Sequence, residues 1–161
     1  MESLQTMWTF RKKDALRSTG VNAANSTTKA RGDLAEQTAL EHLQKHGLRL
    51  VKRNFKTPGR GGGEVDLIMR ERDGTLVFVE VRQRSGSGQG GAGASITATK
   101  QKRIVLAARH FLHQIGSEPP CRFDVVLLQG PSADGRVSEN HAPSSPSIEW
   151  LRAAFDTSAS F

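Results

Sequence analysis

The sequence predicts an α/β fold built on one sheet, and three observations carry that prediction. Apolar periodicity changes along the chain from helical to strand-like, back to helical and again to strand-like, in the order α, β, β, β, α, β. An Asp73-Gly74 reversal between two β-rich runs sets an antiparallel hairpin in the middle of that order. The length of 161 residues suits one domain that buries its own core, and no apolar run approaches the ~20 residues of a membrane helix.

Each element has its own signal. Residues 1–31 carry six basic and two acidic residues, with few large apolar side chains from Arg17 to Ala30, so residues 1–30 read as a flexible basic tail. Arg11, Lys12 and Lys13 precede Asp14 and polar residues, which excludes a secretory signal. Gly32 to His46 places Leu34, Ala35, Ala39, Leu40 and Leu43 at helical spacing, with Gly47 as a C-terminal cap. Leu48 to Lys56 reads as a strand, and Pro58 to Gly63 as a glycine-rich connection. Glu64 to Arg70 and Leu76 to Gln83 form the hairpin. After a low-complexity stretch from Ser85 to Ala94, Ile104, Ala107, Ala108, Phe111, Leu112 and Ile115 mark one face of a helix, and Arg122 to Gln129 a final buried strand. The principal domain thus covers residues 31–130. Residues 131–147, rich in Pro, Ser and Gly, read as a linker to a short C-terminal helix over 148–157, whose Ile148, Trp150, Leu151, Ala154 and Phe155 dock on the core.

The formal charge of +7 suggests a polyanionic partner, with nucleic acid foremost. The single cysteine, Cys121, can form neither an internal disulfide nor a tetrahedral zinc site, which fits the cytoplasm. Gly86 to Gly91 formally satisfies G-x-G-x-x-G, but it follows a hairpin strand and no acid occurs between Glu80 and Glu118 to hold a ribose. His42 and His46 lack the glutamate and third ligand of a zinc helix and read as packing or surface residues.

The informative position is Glu80, which interrupts the apolar run Leu76-Val77-Phe78-Val79-Glu80-Val81. A carboxylate in such a run is costly without a partner or a metal. Alternation places Glu64, Asp66 and Ile68 on one face of their strand, and a turn at Asp73-Gly74 brings Asp66 nearly opposite Glu80. Two adjacent carboxylates repel, and a hard divalent cation such as Mg²⁺ resolves that repulsion. The alternative is structural: Glu80 pairs with Arg82 or Arg70 and Asp66 caps a turn.

Glu64-Val65-Asp66, followed by Glu80-Val81-Arg82 on the next strand, resembles the PD-(D/E)XK nuclease signature. With Arg31-Gly32-Asp33 to Glu36, Lys100 to Ile104 and Arg122 to Val126, the pattern is similar to the YraN-like family of endonuclease-like proteins, related to archaeal Holliday-junction resolvases. The resemblance implies a restriction-endonuclease-like αβββαβ core with a mixed sheet flanked by helices, here with the extra C-terminal helix. It also implies Asp66 and Glu80 as ligands of Mg²⁺ or Mn²⁺, Glu36 as a supporting catalytic acid, and a DNA substrate, including branched or junction DNA. Arg82 stands where the superfamily has lysine. Arginine stays charged and can stabilise a phosphate but cannot manage a proton. Asp33 stands where the family has glutamate and reads as a helix-start acid. Lys100, Lys102 and Arg103, at the start of the second helix, and Arg84 are the expected nucleic-acid contacts, with Gly59 to Gly63 and Gly86 to Gly93 as mobile flanking loops. A homodimer follows only by analogy with resolvases that act on two strands. Two other functions fit the same residues: a catalytically silent nucleic-acid-binding module, kept open by Arg82, and a protein-interaction adaptor using the Trp150 segment.

Overall fold

A computed structural model describes residues 19–84, 96–129 and 147–156. The chain divides into two units, residues 1–34 and 35–161. In the first, the described residues are helical from Thr19 onward. Helix α1 spans Thr19–Lys45, so Gly32 and Asp33 lie inside it and Asp33 is not a helix-start acid. The described part of the expected basic tail, residues 19–30, is helical. No proline interrupts 19–45, and Ala23, Ala24 and Ala30 favour helix, so the helix runs through Gly32 despite that residue's low propensity.

The second unit is a five-stranded mixed sheet with helices packed on both faces. Strands β1 (Arg49–Lys56), β2 (Glu64–Arg70), β3 (Leu76–Arg84), β4 (Cys121–Gln129) and β5 (Ser147–Phe155) lie side by side in chain order. Only β3 and β4 pair in parallel, joined through helix α2 (Ala98–Ile115). Leu67, Met69, Val77 and Val79 pack on one face with Ala35, Ala39, Leu40 and Leu43 of α1. Ile68, Leu76 and Phe78 pack on the other with Ile104, Ala107, Ala108 and Phe111 of α2. Both faces are covered, which is why β3 reads as a continuous apolar run. Thr97 caps α2 at its start, and Gly116, in the left-handed region at φ 62°, ends it. Among the described residues no helix is long and apolar enough to cross a membrane.

The last segment corrects the expected C-terminal helix at 148–157. It is β5, antiparallel to β4, with Val126 opposite Trp150 and Leu128 opposite Ile148. Its apolar spacing fits either period, and the open edge of β4 decides in favour of a strand. The register shifts between Phe123 and Val125, and Ala153 sits at φ 49°. Asp124, fully buried, accepts from Ala153 N and Trp150 Nε1, both at 2.9 Å, and pairs with Arg122 at 2.8 Å. W150F removes one of these donors and should lower stability by about 1 kcal/mol, read by urea denaturation.

Gly59 to Gly63 is not a free loop. Gly63 N donates to Thr57 Oγ1 at 2.6 Å and Gly63 O accepts from Thr57 N at 2.9 Å, closing the turn. A Cβ on Gly63 would collide with Arg103 O and stand 2.5 Å from Ala107 N, so α2 crosses this point backbone to backbone. G63A should destabilise the protein by about 2 kcal/mol or more, measured as a drop in thermal midpoint. Gly86 to Gly93, and residues 131–146 of the expected linker at 131–147, lie outside the described residues, while Ser147 opens β5.

Candidate active site

Asp66 sits where two ladders are interrupted. On one side, β1 pairs at Arg53↔Leu67 and Phe55↔Val65, and Asn54 between them adopts φ 48°. On the other, β2 pairs with β3 only as far as Leu67↔Val79. Extending that register places Asp66 across from Glu80, as the turn at Gly74 (φ 95°) requires. There Asp66 Oδ2 accepts from Val81 N at 2.8 Å, taking over a backbone donor that the parting strands leave free.

Glu80 is 3% exposed and projects on the α2 side. Burial, reinforced by the neighbouring Asp66 charge, pushes its carboxyl up to about 7. Its Oε2 lies 3.2 Å from Lys100 Nζ as an ion pair, yet no donor is aligned to give that buried oxygen a hydrogen bond. Lys100 Nζ also donates to Glu64 Oε1 at 3.1 Å. Burial alone would lower the lysine, but Glu80, Glu64 and Asp66 together hold it above its ordinary value. The Lys100 hydrogen bond in turn holds Glu64 below the usual carboxylate range against its partial burial.

The structure thus brings Asp66, Glu80 and Lys100 together and adds Glu64, which sequence reasoning left out of the site although it shares the Asp66 face. The Lys100 ammonium is turned into the carboxylates. Its neighbour Arg103 is also engaged, with Glu64 at 3.5 Å and Gly62 O at 3.3 Å, while Lys102 is exposed. Arg82 is half-exposed, with Nη1 3.7 Å from Glu80 Oε1. Glu36 is half-buried on α1, beside Ala35 of the α1-side core. Arg84 ends β3, and its side chain lies outside the described residues. Asp124 pairs in register with Val79 and so occupies the opposite face from Glu80. His42 and His46 pack near Trp150, with ring centroids 6.4 and 5.5 Å away.

Among the described residues, no group of three or more His, Cys, Asp or Glu is placed to hold a metal ion. A hard ion such as Mg²⁺ does not require three, since one or two carboxylates complemented by water and phosphate oxygens suffice. Asp66 and Glu80 fit that donor set: two crowded carboxylates, one with a buried oxygen that lacks a hydrogen bond.

Fold and site together define an α/β protein with a mixed five-stranded sheet, consistent with a restriction-endonuclease-like core, and a buried Glu80 that lies beside the half-buried Asp66 and faces a lysine. Residues 35–128 match the family described as "Uncharacterised protein family UPF0102". Relatives carrying the name UPF0102 protein include those of Polaromonas naphthalenivorans, 55% identical over 94% of this chain and 100% of its own length, and Paracidovorax citrulli, 53% identical over 85% and 90%. The protein of Albidiferax ferrireducens is 55% identical over 81% of this chain and 90% of its own. The chain belongs to the UPF0102 (YraN) family.

Proposed function

We propose that this protein is a metal-dependent endonuclease that hydrolyses phosphodiester bonds in DNA, including branched DNA. The observation that carries the reading is the Asp66–Glu80 pair, held on a hairpin beside the half-buried Lys100, with one buried Glu80 oxygen lacking a hydrogen bond. Burying Glu80 beside another carboxylate costs stability, and a carboxyl raised by burial and a neighbouring charge marks a functional site. Asp66 and Glu80 would hold Mg²⁺ or Mn²⁺, which supplies Lewis acidity and an activated water. Asp66 is fixed by Val81 N, so its second oxygen, Oδ1, keeps one direction. Lys100, anchored by Glu64 and Glu80, presents positive charge where a scissile phosphate gains negative charge, and half-exposed Arg82 adds a second cation that remains charged throughout. Lys100 thereby supplies the ammonium that position 82 lacks.

The test is cleavage of single-stranded, duplex, flap and four-way-junction DNA in Mn²⁺ or EDTA, comparing wild type with D66N. Asparagine retains an oxygen that can accept from Val81 N, so the fold should persist. Cutting that requires metal and falls at least about a thousandfold in D66N supports the reading. Tight binding without cutting, indifferent to EDTA, replaces it with the silent binding module.

A further inference from the structure

The phosphate-gripping cations expected at the start of α2 are largely committed to carboxylates, yet another cationic surface lies close by. Strand β1, at the edge of the sheet, reads Arg-Leu-Val-Lys-Arg-Asn-Phe-Lys and contains no acid. Its register sets Lys52 opposite Ile68, and Ile68 packs on the α2 side. Directly opposed residues share a face, so Lys52 emerges there too. Arg49 faces Arg70, which in turn faces Leu76 of the same α2-side cluster. Arg49, Lys52 and Arg70 are all exposed. Two arginines placed directly across a ladder repel and cost stability, an arrangement that an external anion relieves.

This face runs toward the site. Phe55, farther along β1, lies 6.1 Å from the His110 ring of α2, and Lys56 Nζ stands 3.8 Å from Glu64 Oε2. Glu71, the acid next to Arg70, is held by Arg122 and Arg152, at 2.9 and 2.7 Å, and does not neutralise the stripe. A second copy pairing antiparallel along β1 would bring Arg49, Lys52, Arg53 and Lys56 against the same set, so the charge opposes self-association. Eight strand residues extend roughly 23 Å, about seven base-pair steps of duplex.

We infer that the α2-side face of the β1 edge, marked by Arg49, Lys52 and Arg70, binds the phosphodiester backbone of a nucleic-acid duplex and leads it to the Asp66–Glu80 site. The inference rests on the proposed reading of that site as acting on nucleic acid. It is tested by fluorescence anisotropy with DNA and RNA duplexes of about 20 base pairs in EDTA, over roughly 50 to 200 mM salt. Wild type is compared with R49Q/K52Q and with a charge-matched K29Q/K45Q control, in which both lysines are exposed on α1. R49Q/K52Q should bind at least about tenfold more weakly and flatten the log–log salt slope by about two, while the control stays near wild type. Equal losses on DNA and RNA, or loss on the one duplex that binds, both support a backbone contact. Equal losses in both variants, no loss in either, or binding to anionic lipid vesicles in place of either duplex overturn the inference. Metal-dependent cleavage with unchanged R49Q/K52Q affinity overturns the surface and leaves the hydrolytic reading standing. Selective loss of binding in a protein that never cleaves does the reverse.

Discussion

E80Q should abolish metal-dependent cleavage by three orders of magnitude or more and, at the same time, make the metal-free protein more stable above pH 7. Both effects have one origin. The Glu80 carboxyl is pushed up to about 7 by burial and by Asp66, against an ordinary value near 4.5 that it regains on unfolding. A group whose folded value is raised contributes stability fully below its unfolded value, and that contribution is lost as pH rises through the folded one. Wild type without metal should therefore weaken between about pH 4.5 and 7, by on the order of 3 kcal/mol from this group. Glutamine is neutral throughout and removes that dependence. Urea denaturation at pH 5 and pH 8 reads it directly: the two proteins should be similar at pH 5, and E80Q should lead at pH 8. Added Mn²⁺ should restore wild type at pH 8 and leave E80Q unchanged. A wild type that gains stability from pH 5 to 8 without metal, relative to E80Q, would falsify the assignment of Glu80 as a carboxyl strained by its surroundings.

The carboxylate pair was legible because a period of two and a two-residue reversal leave little freedom. Once Asp73-Gly74 sets the turn, Asp66 and Glu80 must meet on one face, as the Leu67↔Val79 register bears out. The helices were less legible for a different reason. Nothing in the sequence sets where α2 crosses the sheet, and that crossing decides which of Lys100, Lys102 and Arg103 reaches the acids. A usable signal existed: Lys100 precedes Ile104, Ala107 and Phe111 by four, seven and eleven residues, which places it on the apolar stripe of α2 rather than on the solvent side. A lysine on a core-facing stripe needs a buried partner, and Glu80 was the buried acid in search of one. The β5 segment was ambiguous because Ile148, Trp150, Leu151 and Phe155 satisfy both periods. The open edge of β4 settles it as a strand, and Asp124 then takes donors from Trp150 and Ala153.

Lys100 is where the departure at Arg82 meets the rest of the site, and K100M should lower cleavage by about a hundred- to a thousandfold while the protein still folds. Methionine keeps the length and apolar stem of the half-buried side chain without the charge, so the loss isolates the ammonium. A purely structural lysine predicts a different outcome, in which K100M loses stability and cleavage follows only as the fraction folded falls. The Glu80 carboxyl separates the two in folded protein, because Lys100 opposes the rise imposed by burial and Asp66. Its titration, followed by carbonyl-carbon NMR without metal, should move above about 7 in K100M. R82K should change cleavage far less than K100M, since the Arg82 contact with Glu80 is 3.7 Å long and its side chain is 41% exposed, whereas Lys100 lies 3.2 Å from Glu80 and is 18% exposed. If instead R82K raises cleavage strongly and K100M leaves it intact, the functional lysine belongs at position 82 and Lys100 serves only to neutralise the acids around it.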